Sequence, residues 1–145
     1  MARFNYEEYL YREKIKRFLG EIDFDSDAII VEGKKDKQVL EKLGVSTKIF
    51  MVSKRELKEF CETVSRCSES VAVLTDFDEA GKEINKKLVQ ELREETDILS
   101  SYRRDFGKLL TSRDRYCIED IRPLLGREFD KFDEVKLSRL YSRLG

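Results

Sequence analysis

The sequence predicts an α/β protein in which a mostly parallel β-sheet is flanked by helices on both faces. Short apolar runs alternate along the chain with longer amphipathic stretches, which is the succession expected of strands joined by crossover helices. The chain has 145 residues, enough for one ordinary domain, and it contains no repeat or Gly/Ser-rich linker. We therefore expect a compact unit built around one sheet.

The first part of the chain indicates a leading helix and then a series of strands and helices. Apolar residues recur there at steps of three, four or their sum, which predicts a helix over residues 3–20. The uninterrupted run 28–31 ends at Glu32 and suits a buried parallel strand. The following elements are predicted in order: a helix over residues 37–43, a strand over 48–52, a helix up to Cys67, a strand over 71–74 and a long helix over 80–94.

The helix that ends at Cys67 has a start signal, since Ser53 and Glu56 have the spacing of a capping box. Beyond residue 94 the pattern is weaker. It indicates a strand over residues 97–99, a helix over 103–110, a strand end or short helix over 117–125, and a final amphipathic helix over 132–144. The expected organisation is an N-terminal helical extension (1–26), a central domain (27–125) and a C-terminal helix packing on that domain (126–145).

Composition and charge limit the functions that the chain can have. Charged residues make up 41% of it, but 29 basic and 30 acidic side chains leave a formal charge of -1. Any affinity for nucleic acid must therefore come from local basic patches. The chain contains no histidine, which excludes imidazole catalysis and leaves carboxylates, lysines, tyrosines or metal-bound water for proton transfer.

The cysteines and the apolar runs indicate a cytoplasmic protein. Cys61, Cys67 and Cys117 form no CxxC pair, and without histidine they cannot complete a zinc site, so we expect reduced thiols. No apolar run approaches the length that spans a bilayer, and the charged N-terminus is unlike a signal peptide. The sequence therefore predicts no association with membranes.

Three acidic residues lie where the predicted strands end. Glu32 ends the first strand, and Asp76 and Asp78 follow the third. The carboxyl ends of parallel strands meet at one edge of a sheet, and residues two apart in extended backbone face the same side. Carboxylates crowd together at a cost unless a cation neutralises them, and Mg²⁺, or Mn²⁺ in its place, prefers such oxygen ligands. Each aspartate also suits a simple helix cap or turn.

Residues next to these acids suit a phosphate. Gly33 allows a sharp turn beside a ligand, Lys34 and Lys35 stand near a helix start, and Gly81 with Lys82 repeats the arrangement after the aspartates. The lysines are equally consistent with an ordinary solvated surface. Asp36 favours a structural role as the N-cap of the helix over residues 37–43, with a second role beside the metal as the alternative.

A second basic set lies further along the chain. Arginines and a lysine alternate there with aromatic residues, as on a surface that grips a phosphate backbone and stacks bases, although the helical spacing explains the aromatics as core equally well. The members are Arg103, Arg104, Lys108, Arg113 and Arg115, with Tyr102, Phe106 and Tyr116 between them.

Two segments resemble the motifs of a known family. VEGKKD (residues 31–36) and LTDFDEAGKEI (residues 74–84) are similar to the two motifs of the Toprim domain, which has a Rossmann-like fold. This catalytic module is shared by type IA and type II topoisomerases, bacterial-type primases, OLD-family nucleases and the M-type ribonuclease that matures 5S rRNA. The resemblance implies that Glu32 is the general acid or base and that Asp76 and Asp78 bind Mg²⁺. The small chain resembles the stand-alone, primase-like Toprim proteins grouped with the M-type ribonuclease, archaeal ones in particular.

The resemblance implies a magnesium-dependent nuclease or phosphotransferase acting on nucleic acid, with RNA favoured over DNA. The alternative is a noncatalytic, metal-dependent nucleic-acid-binding subunit of a larger replication, repair or RNA-processing complex, working with other proteins. A phospho-acceptor receiver domain normally has two acids after its first strand and one after its third, which is the reverse of the order here. A haloacid-dehalogenase-type phosphatase has DxDGT after an early strand, which this chain lacks.

Overall fold

The computed structural model describes residues 5–126 together with Lys131 and Arg139. Strands and helices alternate through most of this part of the chain, as the sequence predicts. In chain order they are α1 (Tyr6–Asp25), β1 (Ala28–Val31), α2 (Lys34–Lys42), β2 (Lys48–Met51), α3 (Leu57–Cys67), β3 (Ser70–Val73), α4 (Glu79–Leu92), β4 (Asp97–Ile98), α5 (Ser100–Thr111) and a 3₁₀ helix (Ile118–Leu125).

The four strands form one parallel sheet in the order β2-β1-β3-β4. β1 is central: Ile29 pairs with Ile49 of β2 on one side and with Ala72 of β3 on the other. All four β1 residues are buried, which explains why this strand is an uninterrupted apolar run. The predicted parallel α/β architecture is therefore confirmed.

Alternate residues of β1 enter two separate cores, as the two-residue period of a strand requires. Ile29 and Val31 pack in a core that also contains buried residues of α1, α2, α5 and the 3₁₀ helix. Ala28 and Ile30 pack on the opposite face with residues of α3 and α4. Helices therefore cover both faces of the sheet, and its carboxyl edge is left for the loops.

β4 is a short edge strand, and it covers only the beginning of β3. It pairs with Ser70 and Val71. Further along β3, the guanidinium of Arg103 takes the place of a strand, because Nη1 donates to the carbonyl oxygens of Val73 at 3.3 Å and Thr75 at 2.8 Å. Buried carbonyls need such partners, so Arg103 completes the pairing of this edge.

Three predicted helix starts are wrong, and one of them is that of α5, which begins at Ser100 rather than at residue 103. α2 begins at Lys34 rather than at residue 37, so Asp36 lies inside its first turn and is not the N-cap. α3 begins at Leu57, and its cap is the side chain of Glu56, which accepts from the backbone N–H groups of Lys58 and Glu59. The predicted capping box is absent because the backbone N–H of Ser53 instead donates to the carbonyl of Glu32 at 2.8 Å.

The ends of the chain differ from the expectation in extent. α1 continues through Gly20 to Asp25, and of the two alternatives for residues 117–125 the short helix is confirmed, as the 3₁₀ helix Ile118–Leu125. Buried residues of α1, among them Ile15 and Leu19, share one core with the sheet. The predicted helix over residues 132–144 lies outside the described residues except for Arg139, so the division of the chain into three parts stays a prediction.

Candidate metal centre

Glu32 and Asp76 face each other across the carboxyl edge of the sheet. Glu32 directly follows β1, and the backbone N–H of Asp76, just beyond β3, donates to its Oε2 atom at 3.0 Å. One carboxylate oxygen each of Glu32, Asp36 and Asp76 lie within 4.8 Å of one another. Since neighbouring parallel strands end at the same edge, residues 44 positions apart in the sequence converge here.

A second group shares Asp76. Ligand atoms of Asp76, Asp78 and Cys117 also lie within 4.8 Å of one another. Asp78 is at the same time the N-cap of α4, because its Oδ1 accepts from the backbone N–H of Gly81 at 2.8 Å. The capping role and a position beside a metal therefore occur together in Asp78. Asp76 thus lies close to Glu32 in one group and close to Asp78 in the other.

The electrostatics of Asp76 are those of a carboxyl group in need of a positive partner. Burial, and next the adjacent Glu32 carboxylate, raise the pKa of Asp76 to about 8. Within the described chain, its Oδ1 atom is buried and makes no hydrogen bond. An unpartnered buried carboxylate oxygen is costly, and a divalent cation with oxygen ligands removes that cost. The donor set therefore fits Mg²⁺ or Mn²⁺.

A close backbone approach holds Asp76 in place. A Cβ atom on Gly81 would stand 1.9 Å from the carbonyl oxygen of Asp76, so only glycine fits here. The hydroxyl of Thr75, which is buried, donates to the carbonyl of Gly81 at 2.8 Å. The first turn of α4 is thus joined directly to the segment that carries the aspartates.

Arg103 supports the same segment from α5. Besides its contacts with Val73 and Thr75, its Nη2 atom donates to the carbonyl of Asp76 at 3.1 Å. Its guanidinium lies over the ring of Phe77, 4.6 Å from the centroid. Burial lowers the pKa of Arg103 to about 10, while attraction to Glu32 and Asp76 opposes that shift. In the structure the Arg103 guanidinium supports the backbone of the Asp76 segment, and the contact with nucleic acid that the sequence suggests for Arg103 stays a prediction.

The loop before the 3₁₀ helix brings Cys117 to the aspartates. The backbone N–H of Phe77 donates to the carbonyl of Tyr116 at 2.6 Å, and Asp120 accepts from the backbone N–H of Cys117 at 3.1 Å. Burial, followed by the charge of Asp76, raises the pKa of Cys117 to about 12. The Cys117 side chain is therefore a neutral thiol, and the hard oxygen ligands for a metal come from the carboxylates.

The cavity at the site has a volume of about 440 Å³ and an acidic lining. Asp36 is 7% exposed there, and its Oδ2 accepts from the backbone N–H of Gly33 at 3.2 Å. Burial, and less strongly the charges of Glu119 and Glu32, raise the pKa of Asp36. Asp36 therefore has a structural role different from the expected N-cap, since it holds the backbone N–H of Gly33, and it also lies beside Glu32.

Of the predicted phosphate contacts, Gly33 lines the cavity. The chain bends at Glu32 and Gly33 as expected, but the φ of -150° at Gly33 is one that other residues also adopt. Lys34 and Lys35 are exposed at the start of α2, next to Gly33. Lys82, in the first turns of α4, is exposed and lies 3.8 Å from Glu79. All three lysines remain accessible to a large substrate.

The second basic set is divided by the fold. Arg113 and Arg115 lie over the ring of Tyr11, at 5.0 and 5.2 Å from its centroid, and they pack α1 against the loop after α5. Phe106 is fully buried in the core. Arg104, by contrast, is exposed beside Asp105. Local spacing left the roles of this set open, and only the tertiary contacts separate packing residues from surface residues.

Sequence reasoning missed part of the cavity wall. Cys117, Glu119 and Asp120 line the cavity with Glu32 and Asp76. These residues are far in the sequence from the segments 31–36 and 74–84, and no sequence periodicity links them to either segment. Their position at the cavity depends on the backbone hydrogen bond between Phe77 and Tyr116. The only local indication is an acidic pair, Glu119 and Asp120, at the start of a weakly predicted element.

Comparison with known proteins agrees with this geometry. The family profile described as Toprim domain matches residues 27–109, a segment that includes β1 to β4, the two acidic strand ends and most of α5. The chain belongs to the Toprim domain family. Membership indicates a metal-dependent function connected with nucleic acids, and the acidic groups described above could hold the metal.

Relatives of this Toprim protein are found among archaeal UPF0292 proteins. One from Pyrococcus furiosus is 38% identical over 121 residues, covering 83% of this chain and 86% of the relative. One from Thermococcus onnurineus is 37% identical over 116 residues, covering 77% and 86%. A solved structure of a protein from Aquifex aeolicus has a TM-score of 0.58 and 25% identity, covering 83% of this chain and 100% of that one. These likenesses support the Toprim fold over most of the chain.

Among the described residues of the Toprim protein, every helix is too short or too polar to cross a lipid bilayer.

Proposed function

We propose that the protein is a magnesium-dependent nuclease that processes structured RNA, akin to the M-type ribonuclease among Toprim proteins. One observation carries the proposal: the Glu32 and Asp76 carboxylates lie close together at the carboxyl edge of the sheet, and Asp76, which also lies close to Asp78, has a buried oxygen without a partner in the described chain. Helix capping by itself does not require carboxylates to lie close together. Binding of a cation against a phosphate does require close carboxylates, because the cation neutralises their charge.

Asp76 and Asp78 are the proposed ligands of the metal, and Glu32 is proposed as a third carboxylate that binds it. Mg²⁺ bound there would supply charge neutralisation for the scissile phosphate and for the oxygens that attack and leave. The protein's own contribution is orientation. Gly81, Thr75 and Arg103 hold the Asp76 segment by backbone contacts, so the carboxylates stay in position before substrate arrives.

Glu32 is the proposed proton-transfer group. The chain has no histidine, and Glu32 is the carboxylate that stands on the strand next to the aspartate pair. Its Oε2 atom is oriented by the backbone N–H of Asp76. A carboxyl held in this way can accept a proton from an attacking hydroxyl or water, or return one to a leaving oxygen.

RNA is favoured over DNA by the resemblance to the M-type ribonuclease, and other proteins of a processing complex are expected to help select the substrate. Lys34 and Lys35 are exposed next to Gly33 of the cavity wall, Lys82 is exposed in the first turns of α4, and all three suit phosphates. All three cysteines are free thiols, which suits the reducing conditions of the cytoplasm, the compartment we propose.

The experiment compares labelled structured RNA, single-stranded RNA and duplex DNA, each incubated with the purified protein in Mg²⁺, in Mn²⁺ or in chelator. We expect cleavage of structured RNA that requires the metal. Glu32→Gln should still bind RNA but cleave it on the order of a hundredfold more slowly or worse, because the amide cannot exchange a proton.

The matched variant is Asp76→Asn with Asp78→Asn. Magnesium should raise the melting temperature of the parent, since it binds the folded state, and this rise should disappear in the double variant. Cleavage by Glu32→Gln at the parental rate would rule out the proton-transfer role. A parent that binds RNA in a metal-dependent way but cleaves no substrate would instead establish a noncatalytic binding subunit.

A further inference from the structure

A groove separates α4 from α5 beside the acidic cavity. Its volume is about 460 Å³, and its floor is formed by apolar residues of the sheet, including Val73 and Ile98. The groove exists because β4 ends at Ile98 and leaves the outer side of β3 without a strand neighbour beyond Val71. Two helix faces then form the walls where a longer edge strand would otherwise lie.

The walls carry positive charge. Lys82 comes from α4, and Arg103, Arg104 and Lys108 come from α5. Arg104 and Lys108 are four positions apart and therefore lie on the same face of that helix. None of the described residues that line the groove is acidic. Lys82 and Arg104 do contact exposed acidic neighbours outside the groove, but such surface pairs are weak and leave the cations available to phosphates.

An aromatic ring stands where the groove meets the acidic cavity. Tyr116 is 45% exposed and lines the groove, while the next residue, Cys117, lines the cavity. Phe77, which lies between Asp76 and Asp78, is also part of the groove wall. An extended ligand in the groove would therefore end at the carboxylates.

We propose that this α4/α5 groove binds a single-stranded segment of nucleic acid and leads it to the acidic cavity. The basic walls complement a phosphate backbone, and the exposed ring of Tyr116 suits stacking by an unpaired base. The volume is that of a pocket for a small molecule or a few nucleotides, which is too small for a duplex. This inference rests on the proposed function for the identity of the substrate as nucleic acid. It adds that the bound segment is single-stranded and that it reaches the acidic cavity through the α4/α5 groove.

The test measures binding in chelator, so that neither metal binding nor cleavage affects the result. Fluorescence anisotropy is recorded for a labelled twelve-nucleotide RNA, the same sequence as DNA, and the corresponding duplexes. The parent should prefer single strands, and the RNA and DNA arms identify which of the two it binds. Arg104→Glu with Lys108→Glu should weaken binding on the order of tenfold or more. The slope of the logarithm of the binding constant against the logarithm of the salt concentration should become shallower by roughly 1.4, at about 0.7 per lost phosphate contact.

The control is Lys42→Glu with Arg66→Glu, which changes the net charge equally. Both residues are exposed, and they lie near the ends of α2 and α3, before the starts of β2 and β3. This variant should bind like the parent. Tyr116→Ala should weaken binding about tenfold, and Tyr116→Phe should restore it, because the ring alone stacks.

Equal losses in the two charge variants, tighter binding of the duplexes, or no binding by the parent would overturn the groove assignment. Failure of the proposed nuclease function gives a different result, since the groove variants would then lose binding while the parent cleaves nothing.

Discussion

Acidic residues stand at both ends of the central strand, and their surroundings differ. Before β1, the Oδ2 atom of Asp27 accepts from the backbone N–H groups of Glu69 at 2.9 Å and Ser70 at 3.2 Å. Nearby, Asp23 accepts from the backbone N–H groups of Ser46 at 3.1 Å and Thr47 at 2.7 Å. These carboxylates are satisfied by the chain itself, and they tie the starts of the strands together.

After the strands, the carboxylates face one another instead. Glu32 receives one backbone hydrogen bond, while an oxygen of Asp76 is buried without a partner in the described chain. The two edges show that an acidic residue at a strand end does not by itself indicate a metal. What distinguishes the candidate metal centre is that the chain leaves its carboxylates incompletely paired. The substitutions and conditions below test this difference between the two edges of the sheet.

The largest effect is expected at Gly81. Gly81→Ala should destabilise the protein by about 3 kcal/mol, because the new methyl group collides with the Asp76 backbone, which cannot move freely. Magnesium should also lose its stabilising effect on this variant. Gly20→Ala is the control: Gly20 lies inside α1 with nothing within 4 Å of the added atom, so this change should stabilise by roughly 0.5–1 kcal/mol. Urea unfolding with and without Mg²⁺ measures both, and equal effects would disprove the close approach.

The next effect is expected at Arg103. Arg103→Met should cost about 2 kcal/mol, since the buried carbonyls of Val73, Thr75 and Asp76 lose their donor. Arg104→Met, one residue along on an exposed position, should stay within about 0.5 kcal/mol of the parent. Chemical denaturation compares the two. Similar values for both variants would mean that Arg103 contributes charge to the surface rather than support to the backbone.

A smaller pair of effects should differ in sign between the two edges. Asp27→Ala should lower the free energy of unfolding by about 1.5 kcal/mol, because two backbone donors lose a charged acceptor. Asp76→Asn, measured in chelator at pH 8, should instead raise the melting temperature by a few degrees, since it removes a carboxylate that Glu32 repels. Destabilisation by both substitutions would erase the distinction between the edges.

The pH dependence of the metal-free protein provides a further test. An unfolded carboxyl loses its proton near pH 4, whereas folded Asp76 keeps it up to about pH 8. The folded state then binds more protons over this interval, so Asp76 makes stability fall as the pH rises from about 4 to about 8. Melting curves in chelator should show this fall, Asp76→Asn should reduce it, and Mg²⁺ should do the same in the parent. A parent and variant with parallel pH profiles would contradict the assignment.

Much of the fold was predictable because its signals are local. The buried runs at 28–31 and 71–74 needed only composition and length, and parallel pairing followed from the helices between them. The starts of α2 and α3 were missed because caps depend on competing hydrogen bonds. At Ser53 the backbone extends the pairing with β1, and at Glu56 an uncommon capping residue takes over.

The candidate site was predictable in its centre and not in its surroundings. The proximity of Glu32 to Asp76 follows from sheet geometry, since each follows the carboxyl end of a parallel strand, and Asp78 lies close to Asp76 in the sequence and in the structure. The positions of Cys117 and Arg103 depend on where α5 crosses the sheet edge, and no spacing within the sequence encodes that crossing.

Arg103 also has a consequence for the behaviour of the protein in a crowded solution. A sheet edge with free carbonyl groups can recruit a strand from another molecule, and long edges of this kind lead to aggregation. β4 covers only Ser70 and Val71, so the rest of β3 would offer such a template. Because the guanidinium occupies the carbonyls of Val73 and Thr75, an arriving strand finds no acceptors there and would have to displace a buried cation first. The same contacts that orient the candidate metal centre thus keep neighbouring molecules apart.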